Sequence, residues 1–201
     1  MLRLLPMAAF GYLLGSIPNG YWLGRWLAGE DVRAAGSGNI GAANVARVLG
    51  LRWGLLVLAL DMAKGALPVA AALRLWPTPA HVSPQAIGCV ALATLLGSCY
   101  SVFLRFQGGK GVATATGISL VLWPAAMPCA FLVFLVVAWR SRFVSLASLS
   151  ASLSLPLWLG LLGYPGLSVG LGCLFAICIV FRHRSNIQAL VQGRERKWER
   201  R

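Results

Sequence analysis

Two short segments combine glycines, small polar side chains and a nearby cation at the edge of apolar runs. The first covers residues 36–44 and reads GSGNIGAAN, and the second covers residues 108–114 and reads GGKGVAT. Glycine lets the backbone approach a ligand closely, and successive amide N–H groups can then cradle an anion. Because Lys110 stands among the glycines of the second segment and Arg47 follows the first, the two segments predict a site for a polar, anionic substrate at a membrane surface.

Two familiar nucleotide-binding patterns do not fit these segments. Residues 36–41 match G-x-G-x-x-G, but a dinucleotide fold needs a preceding strand, and here the flanks are an apolar span and a basic loop. The second segment has Leu104 where an NTPase loop needs its first glycine, and Gly111 where that loop needs the hydroxyl that holds magnesium. A helix-capping turn at Ser37 or Asn39, or a plain turn between helices, remains the alternative to an anion site.

Asp61 and Lys64 lie three residues apart in an otherwise apolar stretch, so they share one face of a helix. Charges inside a membrane are costly and are usually paired. Two interpretations stay open: a structural ion pair that fixes helix packing, or a pair that braces the site.

Further polar residues stand at the ends of later apolar runs. Ser145 and Ser148 open one run and are explained equally well by helix packing. His183 and Asn186 follow the last run, and on a helix they would face the same way.

The composition requires these segments to be held by membrane helices. The 201 residues are 58% hydrophobic and 11% charged, against about 25% charged in soluble domains. Helices need about 20 apolar residues to cross a bilayer. Seven segments are predicted, at about residues 4–24, 53–73, 85–104, 112–123, 125–139, 143–162 and 166–181. Residues 112–139 are taken as two short helices because Trp123-Pro124 and Pro128 interrupt them.

The net charge of +13 is distributed as membrane topology predicts, not as nucleic-acid binding would require. Under the seven-segment scheme, fifteen of the 18 cations fall on one side, whereas Arg3 and Arg74 fall on the other. Positive loops face the cytoplasm, so the motif segments and a basic tail from about residue 182 are placed there. The surplus charge would then meet anionic lipid head groups and anionic substrates.

The five cysteines are odd in number and form no C-x-x-C pair. They lie in or beside apolar segments, and they predict buried free thiols rather than a metal or redox site.

Taken together, these segments resemble the bacterial acyl-phosphate:glycerol-3-phosphate acyltransferase family. Three family motifs follow one another with suitable spacing: residues 37–44, residues 97–117 around Gly108-Gly109-Lys110-Gly111, and residues 183–195, which end in Gly193-Arg194-Glu195. Residues 15–18, 61–65 and 144–148 also read like family segments. The resemblance covers nearly the whole chain.

The resemblance implies one membrane-integral domain over residues 1–201, with about seven transmembrane helices and an active site on the cytoplasmic face of the bacterial inner membrane. It implies transfer of a fatty acyl group from acyl phosphate to sn-glycerol 3-phosphate, which gives lysophosphatidate and phosphate and begins phospholipid synthesis. We expect a monomer in contact with membrane lipids, with no metal, coenzyme A or nucleic acid.

The expected site residues fall into two groups. The catalytic group is Ser37, Asn39, Lys110 and His183. The substrate phosphates are expected to be bound by Gly38, Gly41, Asn44, Arg47, Gly108, Gly109, Gly111, Thr114, Ser145, Ser148 and Asn186.

The chain departs from the family pattern at five positions. Ala43 stands where threonine is usual and Gln107 where lysine is common. In the family segment at 97–101, Ser98 replaces the histidine, and Tyr100 and Ser101 replace the phenylalanine and the proline. Ser98 cannot act as an imidazole. These departures keep open a degenerate, non-catalytic relative that binds lipid phosphate. An anion transporter would instead show inverted repeats with matching broken helices, and no second copy of the proline-broken pair is evident.

Overall fold

A computed structural model of the protein describes residues 4–75 and 83–198; Arg3 and the last three residues of the basic tail lie outside these ranges. The described chain is all-helical, which confirms the predicted fold class. Its ten α-helices are α1 Leu4–Gly15, α2 Asn19–Ala28, α3 Ala42–Leu49, α4 Leu51–Leu75, α5 Pro84–Cys99, α6 Val112–Leu122, α7 Ala126–Ser141, α8 Val144–Leu161, α9 Gly166–Arg182 and α10 Arg184–Val191.

Three stretches are long and apolar enough to cross a membrane alone: α4, α8, and α5 with the 3-10 turn that extends it to Leu104. The pair α9 and α10, bent by 63°, passes the same test together. Helices α6 and α7 are shorter, and the chain breaks between them at residues 123–125, which confirms two short helices where the prolines predict them. With the pair α1 and α2, these helices correspond approximately to the seven predicted segments.

The first predicted span, residues 4–24, differs from the structure. It is two helices, because α1 ends at Gly15 and α2 begins only at Asn19. Pro18 immediately precedes α2, and it has no N–H with which to continue the hydrogen-bond ladder of α1. The interruption between α1 and α2, residues 16–18, is called the break below.

Contacts divide the chain into two compact units, Met1–Val121 and Leu122–Arg201. In the first unit α1 and α5 approach closely because glycines remove side chains at their contact. A Cβ on Gly15 would collide with the carbonyl oxygen of Thr94, and one on Gly97 with that of Tyr12. Small residues allow such backbone approach between membrane helices. A buried apolar cluster beneath the motif segments includes Val32, Ile40, Val45, Val57 and Leu104.

The second unit contains α7 to α10. Helix α8 packs against both α7 and α9, and the tail after α10 returns to the start of α8, where the Trp198 N–H donates to the Arg142 carbonyl at 2.8 Å. This return positions Glu195 among the polar residues described below.

The expectation of buried thiols is right for Cys99 alone. Cys129 and Cys178 are partly exposed, and Cys89 and Cys173 are exposed on helices whose outer faces are apolar. A small hydrophobe is as well accommodated by lipid as by protein, so burial within the fold is not required.

Candidate functional site

The first motif segment, residues 36–44, is a loop that Asn44 holds in shape. The Asn44 side chain is buried, accepts from the Ser37 N–H at 2.6 Å, and donates to the carbonyls of Val32 and Ala35 at 2.9 and 3.2 Å. Gly36 has φ +63°, and a Cβ there would collide with the Asn44 amide oxygen. The predicted phosphate ligand Asn44 therefore makes three contacts with backbone groups that define the loop.

The polar residues of this loop lie at or near its surface. Ser37 and Gly38 are exposed, as is Arg47 in the last turn of α3. The Asn39 side chain accepts from the Gly41 N–H at 2.9 Å, and α3 then begins with Gly41 as its N-cap. Neither Ser37 nor Asn39 is that cap, so the alternative of a simple capping turn at those residues does not describe the loop.

The second motif segment rests on the C-terminal end of α5. The Gly109 N–H donates to the Ser98 carbonyl at 2.8 Å. A Cβ on Gly108 would collide with that same carbonyl, and one on Gly111, which has φ +77°, would lie 2.6 Å from Leu95 Cδ1. Glycine is required at these positions because the loop backbone lies directly on the helix end.

The two motif loops meet within the first unit. A Cβ built on Gly109 would lie 3.7 Å from Ile40 Cγ1 and 3.9 Å from Asn39 Oδ1. Lys110 follows Gly109 and is partly buried, and Thr114 is buried on the first turn of α6. Backbone amides, the Asn39 side chain and a lysine are therefore gathered at one place by residues 70 positions apart in the sequence.

The cations and acids of this unit are not distributed evenly. Arg33 donates through Nε and Nη2 to the Asp31 carboxylate at 2.6–3.0 Å. These bonds hold the pKa of Asp31 below its usual range, although partial burial opposes the shift, and they raise the pKa of Arg33. The Asp31 charge is thus compensated locally by Arg33.

The ion pair in α4 is formed as the sequence predicts. Lys64 Nζ lies 2.8 Å from Asp61 Oδ1 and donates to the Ile17 carbonyl at 2.8 Å. Asn19 Nδ2 donates to the same Asp61 oxygen at 2.9 Å. The pair therefore reaches the break, and both interpretations of it, structural pairing and bracing, describe part of its contacts.

In the second unit a carboxylate gathers the polar side chains. Glu195 Oε1 accepts from Ser145 Oγ at 2.5 Å and from Asn186 Nδ2 at 2.8 Å. A hydroxyl has one hydrogen and can donate one hydrogen bond. Ser145 donates its bond to Glu195, and Ser148 donates its bond to the Val144 carbonyl at 2.8 Å. Either serine would have to leave its partner before it could donate to a phosphate.

His183 is buried at the junction of α9 and α10, and its Nδ1 lies 2.8 Å from the Ile179 carbonyl. A carbonyl oxygen only accepts, so Nδ1 carries a proton and donates this hydrogen bond.

The structure therefore brings Asn39 and Ile40 of the first motif loop to Gly109 of the second, and it brings Ser145 and Asn186 together at Glu195. That residues of the third motif, 183–195, bind the same substrates as the two glycine segments stays a prediction. The sequence did not predict the hydrogen bonds of Asn19 and Ser101, because each joins distant segments of the chain. Pro18 was the local signal that the helix is interrupted there and that its carbonyl groups need other partners. Within residues 4–75 and 83–198 no three His, Cys, Asp or Glu side chains form a group that could hold a metal ion.

The fold and the paired loops define an integral membrane protein with an amide-rich polar site. The model of the family described as glycerol-3-phosphate acyltransferase matches residues 5–193, and the chain belongs to that family. This confirms the resemblance found in the three motifs.

Similar proteins align with nearly the whole chain. A glycerol-3-phosphate acyltransferase of Myxococcus xanthus is 46% identical, with 96% of this chain and 98% of the relative aligned. One of Syntrophotalea carbinolica is 43% identical, with 96% of each chain aligned. A crystal structure of PlsY, an integral membrane glycerol 3-phosphate acyltransferase in its glycerol 3-phosphate form, gives a TM-score of 0.91 at 40% identity, covering 98% of this chain and 96% of that one. Its lysophosphatidic acid form gives 0.88 at 38% identity, with the same coverage.

Proposed function

We propose that the protein transfers a fatty acyl group from acyl phosphate to the 1-hydroxyl of sn-glycerol 3-phosphate, releasing phosphate and forming lysophosphatidate. The meeting of the two motif loops at Gly109, in a chain that belongs to this family, is the observation that carries the proposal. Relatives named for glycerol-3-phosphate acylation, and a similar protein crystallised in glycerol 3-phosphate and lysophosphatidic acid forms, support the acceptor and the product.

Binding of the substrates' phosphate groups is assigned mainly to the first unit. Lys110 and the amides of the Gly108–Gly111 segment other than that of Gly109, whose N–H donates to the Ser98 carbonyl, bind one phosphate. Arg47 supplies a second cation from α3. Successive N–H groups in a glycine-rich turn form an anion-binding concavity without needing a side chain at each position. Ser37 and Asn39 extend this donor set, with Asn44 and Thr114 supporting the loops from beneath. Ser145, Asn186 and His183 are proposed as further phosphate ligands, with Ser148 beside them.

The reaction needs little covalent chemistry from the protein. Acyl phosphate is already an activated mixed anhydride: the acceptor hydroxyl attacks its carbonyl carbon, a new ester C–O bond forms, and the carbonyl–phosphate C–O bond breaks. Donors on the first loop stabilise the carbonyl oxyanion. Positioning of two anionic reactants against their repulsion supplies about 7–11 kcal/mol of the barrier reduction.

The hydroxyl proton is proposed to go to the departing phosphate. The chain has only five Asp and Glu residues. Within the described segments Asp31 is bonded to Arg33, Asp61 to Lys64, and Glu195 to Ser145 and Asn186. A phosphate oxygen of the substrate is a sufficient acceptor, so no carboxylate base is required.

The membrane orientation follows from the distribution of cations. We place the motif loops and the tail on the cytoplasmic side of the bacterial inner membrane, where both phosphorylated substrates and anionic lipids are found. The protein is proposed to act as a monomer without a metal or coenzyme A.

The donor is tested with purified protein in lipid, labelled glycerol 3-phosphate, and either palmitoyl phosphate or palmitoyl-CoA. Labelled lysophosphatidate should form with palmitoyl phosphate and not with palmitoyl-CoA. Product from palmitoyl-CoA alone would refute the acyl phosphate donor while leaving the acceptor intact. No product from either donor would refute the activity.

A non-catalytic relative that binds lipid phosphate is the second candidate, and Ser98 is the observation that favours it. The Ser98 hydroxyl is buried and donates to the Leu95 carbonyl at 2.8 Å, so it provides no titratable group at the position where the family has histidine. Ser98→His separates the two candidates. A large gain from a nearly inactive wild type would indicate degeneration, whereas an active wild type with no such gain supports the enzyme.

A further inference from the structure

At the break between α1 and α2, two backbone carbonyls accept hydrogen bonds from side chains of distant segments. Ser101 Oγ donates to the Ser16 carbonyl at 2.5 Å, and Lys64 Nζ donates to the Ile17 carbonyl at 2.8 Å. Backbone acceptors inside a membrane need such partners, because lipid offers none. Ser101 stands where the family resemblance implies proline, which could not donate this hydrogen bond.

Lys64 joins α4 to the break through its hydrogen bond to the Ile17 carbonyl, and it forms an ion pair with Asp61 on the same helix. It is 7% exposed, and its partner Asp61 also accepts from Asn19 at the first residue of α2. One face of α4 therefore contacts the residue before Pro18 and the residue after it. Apolar residues of similar volume often stabilise a protein as well as a buried ion pair does. The pair is thus explained better by what it positions than by stability.

The start of α2, directly after the break, contacts the first motif loop. Gly20 follows Asn19, and a Cβ on Gly20 would collide with the carbonyl oxygen of Ile40. Ile40 lies in the first motif loop and is the same residue that a Cβ on Gly109 would approach at 3.7 Å. The start of α2 therefore determines where the first loop can lie relative to the glycine loop.

We infer that Asp61, Lys64, Asn19 and Ser101 form a polar clamp that holds the break and, through Gly20 and Ile40, keeps the first motif loop aligned with Gly108–Gly111. Lys64 is a positioning residue in this arrangement: it acts on the reaction through the loop. The inference rests on the proposed function for its kinetic consequence, and on the described contacts alone for its structural consequence.

The inference is tested first with Lys64→Met, which keeps the length of the side chain and removes the ammonium. Loss of the clamp should lower kcat/KM for glycerol 3-phosphate about 10- to 100-fold, the scale expected when a displacement of about 1 Å misaligns reactants. Arg74→Met is the matched control, because it removes a cation from the exposed end of the same helix. Wild-type kinetics in Lys64→Met would overturn the inference.

A double variant separates positioning from stability. Lys64→Met alone leaves the Asp61 carboxylate without its ammonium partner and should lower Tm, whereas Asp61→Asn with Lys64→Met removes both charges and should restore Tm. The clamp predicts that kcat/KM stays at least about tenfold low in the double variant, since the Ile17 carbonyl still lacks its donor. Recovery of kcat/KM together with Tm would show a purely structural pair and overturn the inference.

Hydrogen exchange gives a readout that does not depend on activity. The amides of residues 36–41 should exchange faster in the double variant than in the wild type and in Arg74→Met. Should the Lys64 variants fail to fold, Asn19→Ala removes one arm of the clamp without altering charge, and the same two readouts should change less but in the same direction. Unchanged exchange and kinetics in Asn19→Ala would then overturn the clamp. An inactive wild type would refute the proposed function, whereas an active wild type with unaffected variants would refute only the clamp.

Discussion

The two units of the protein hold their polar groups in different ways. In the first, glycines and Asn44 shape two loops whose donors are largely backbone amides, beside Lys110 and Arg47. In the second, side chains from α8 and α10 are tied to the Glu195 carboxylate. The first arrangement consists of backbone amides beside cations, and the second consists of side chains bonded to an acid.

This difference indicates which unit bears the larger share of phosphate recognition. An anion site needs N–H or O–H donors that no acid of the protein already occupies. Near the first loop, Asp31 is bonded to Arg33, whereas the hydroxyl hydrogen of Ser145 is already given to Glu195. We therefore expect changes in the first unit to affect turnover most, and changes around Glu195 to affect folding of the tail.

Lys110→Ala should have the largest effect. Removing this cation from the glycine loop should lower acyl transfer by about 10³-fold, the upper range for loss of one preorganised electrostatic contact. Thermal unfolding in detergent should be unchanged. Arg105→Ala is the control, because it removes an exposed cation from the same segment. Near-normal turnover in Lys110→Ala would refute the assigned role.

Gly108→Ala should follow, with a loss of about 10²-fold in kcat/KM. The added methyl group would collide with the Ser98 carbonyl and displace the loop from the end of α5. Gly170→Ala on α9 is the matched control, since a Cβ there has nothing within 4 Å. Equal behaviour of the two variants in a steady-state assay would show that the loop does not need its contact with α5.

Two substitutions of Glu195 should lower the free energy of unfolding by different amounts. Glu195→Ala leaves Ser145 and Asn186 without their shared acceptor and should lower the free energy of unfolding by about 1–3 kcal/mol. Glu195→Gln keeps an amide oxygen in place, so it should cost less. Chemical denaturation of both variants measures this order, and an equal loss in the two would mean that charge, not hydrogen bonding, organises the tail.

The smallest expected effect is the change with pH in the stabilisation that Asp31 provides. Its pKa is lowered in the folded protein by Arg33, so its stabilisation is complete above the unfolded value of about 4 and is lost as pH falls through the lower folded value. Asp31→Asn should therefore cost about 0.2–1 kcal/mol at pH 5–8, as expected for a partly exposed pair. Thermal unfolding should show this difference shrinking below about pH 4. A difference that varies between pH 5 and 8 would contradict the assignment.

The sequence predicts the helical class and the two short helices α6 and α7 because the signals are local. Long uncharged runs identify membrane segments, and Pro124 lies where one helix must stop. The glycines of the two motif loops also point to close backbone approach without any knowledge of the fold. Membership of the family was predictable from the same residues.

The remaining features depend on contacts between distant residues. Nothing in the sequence around Asn44 shows that its side chain would bond the carbonyls of Val32 and Ala35, and nothing around Lys64 shows that the Ile17 carbonyl would accept its hydrogen bond. The break was missed because residues 4–24 together have the length of one membrane span, although Pro18 lies within them. Ser145 was expected to contact phosphate, but its bond to Glu195, fifty residues away, could only be found in three dimensions.

Binding of labelled glycerol 3-phosphate to the purified protein in lipid tests most directly whether the glycine loop and Lys110 recognise phosphate. We predict saturable binding that inorganic phosphate displaces and glycerol does not, weakened more than about tenfold in Lys110→Met and unchanged in Arg105→Met. Wild-type affinity in Lys110→Met, or displacement by glycerol alone, would contradict the account.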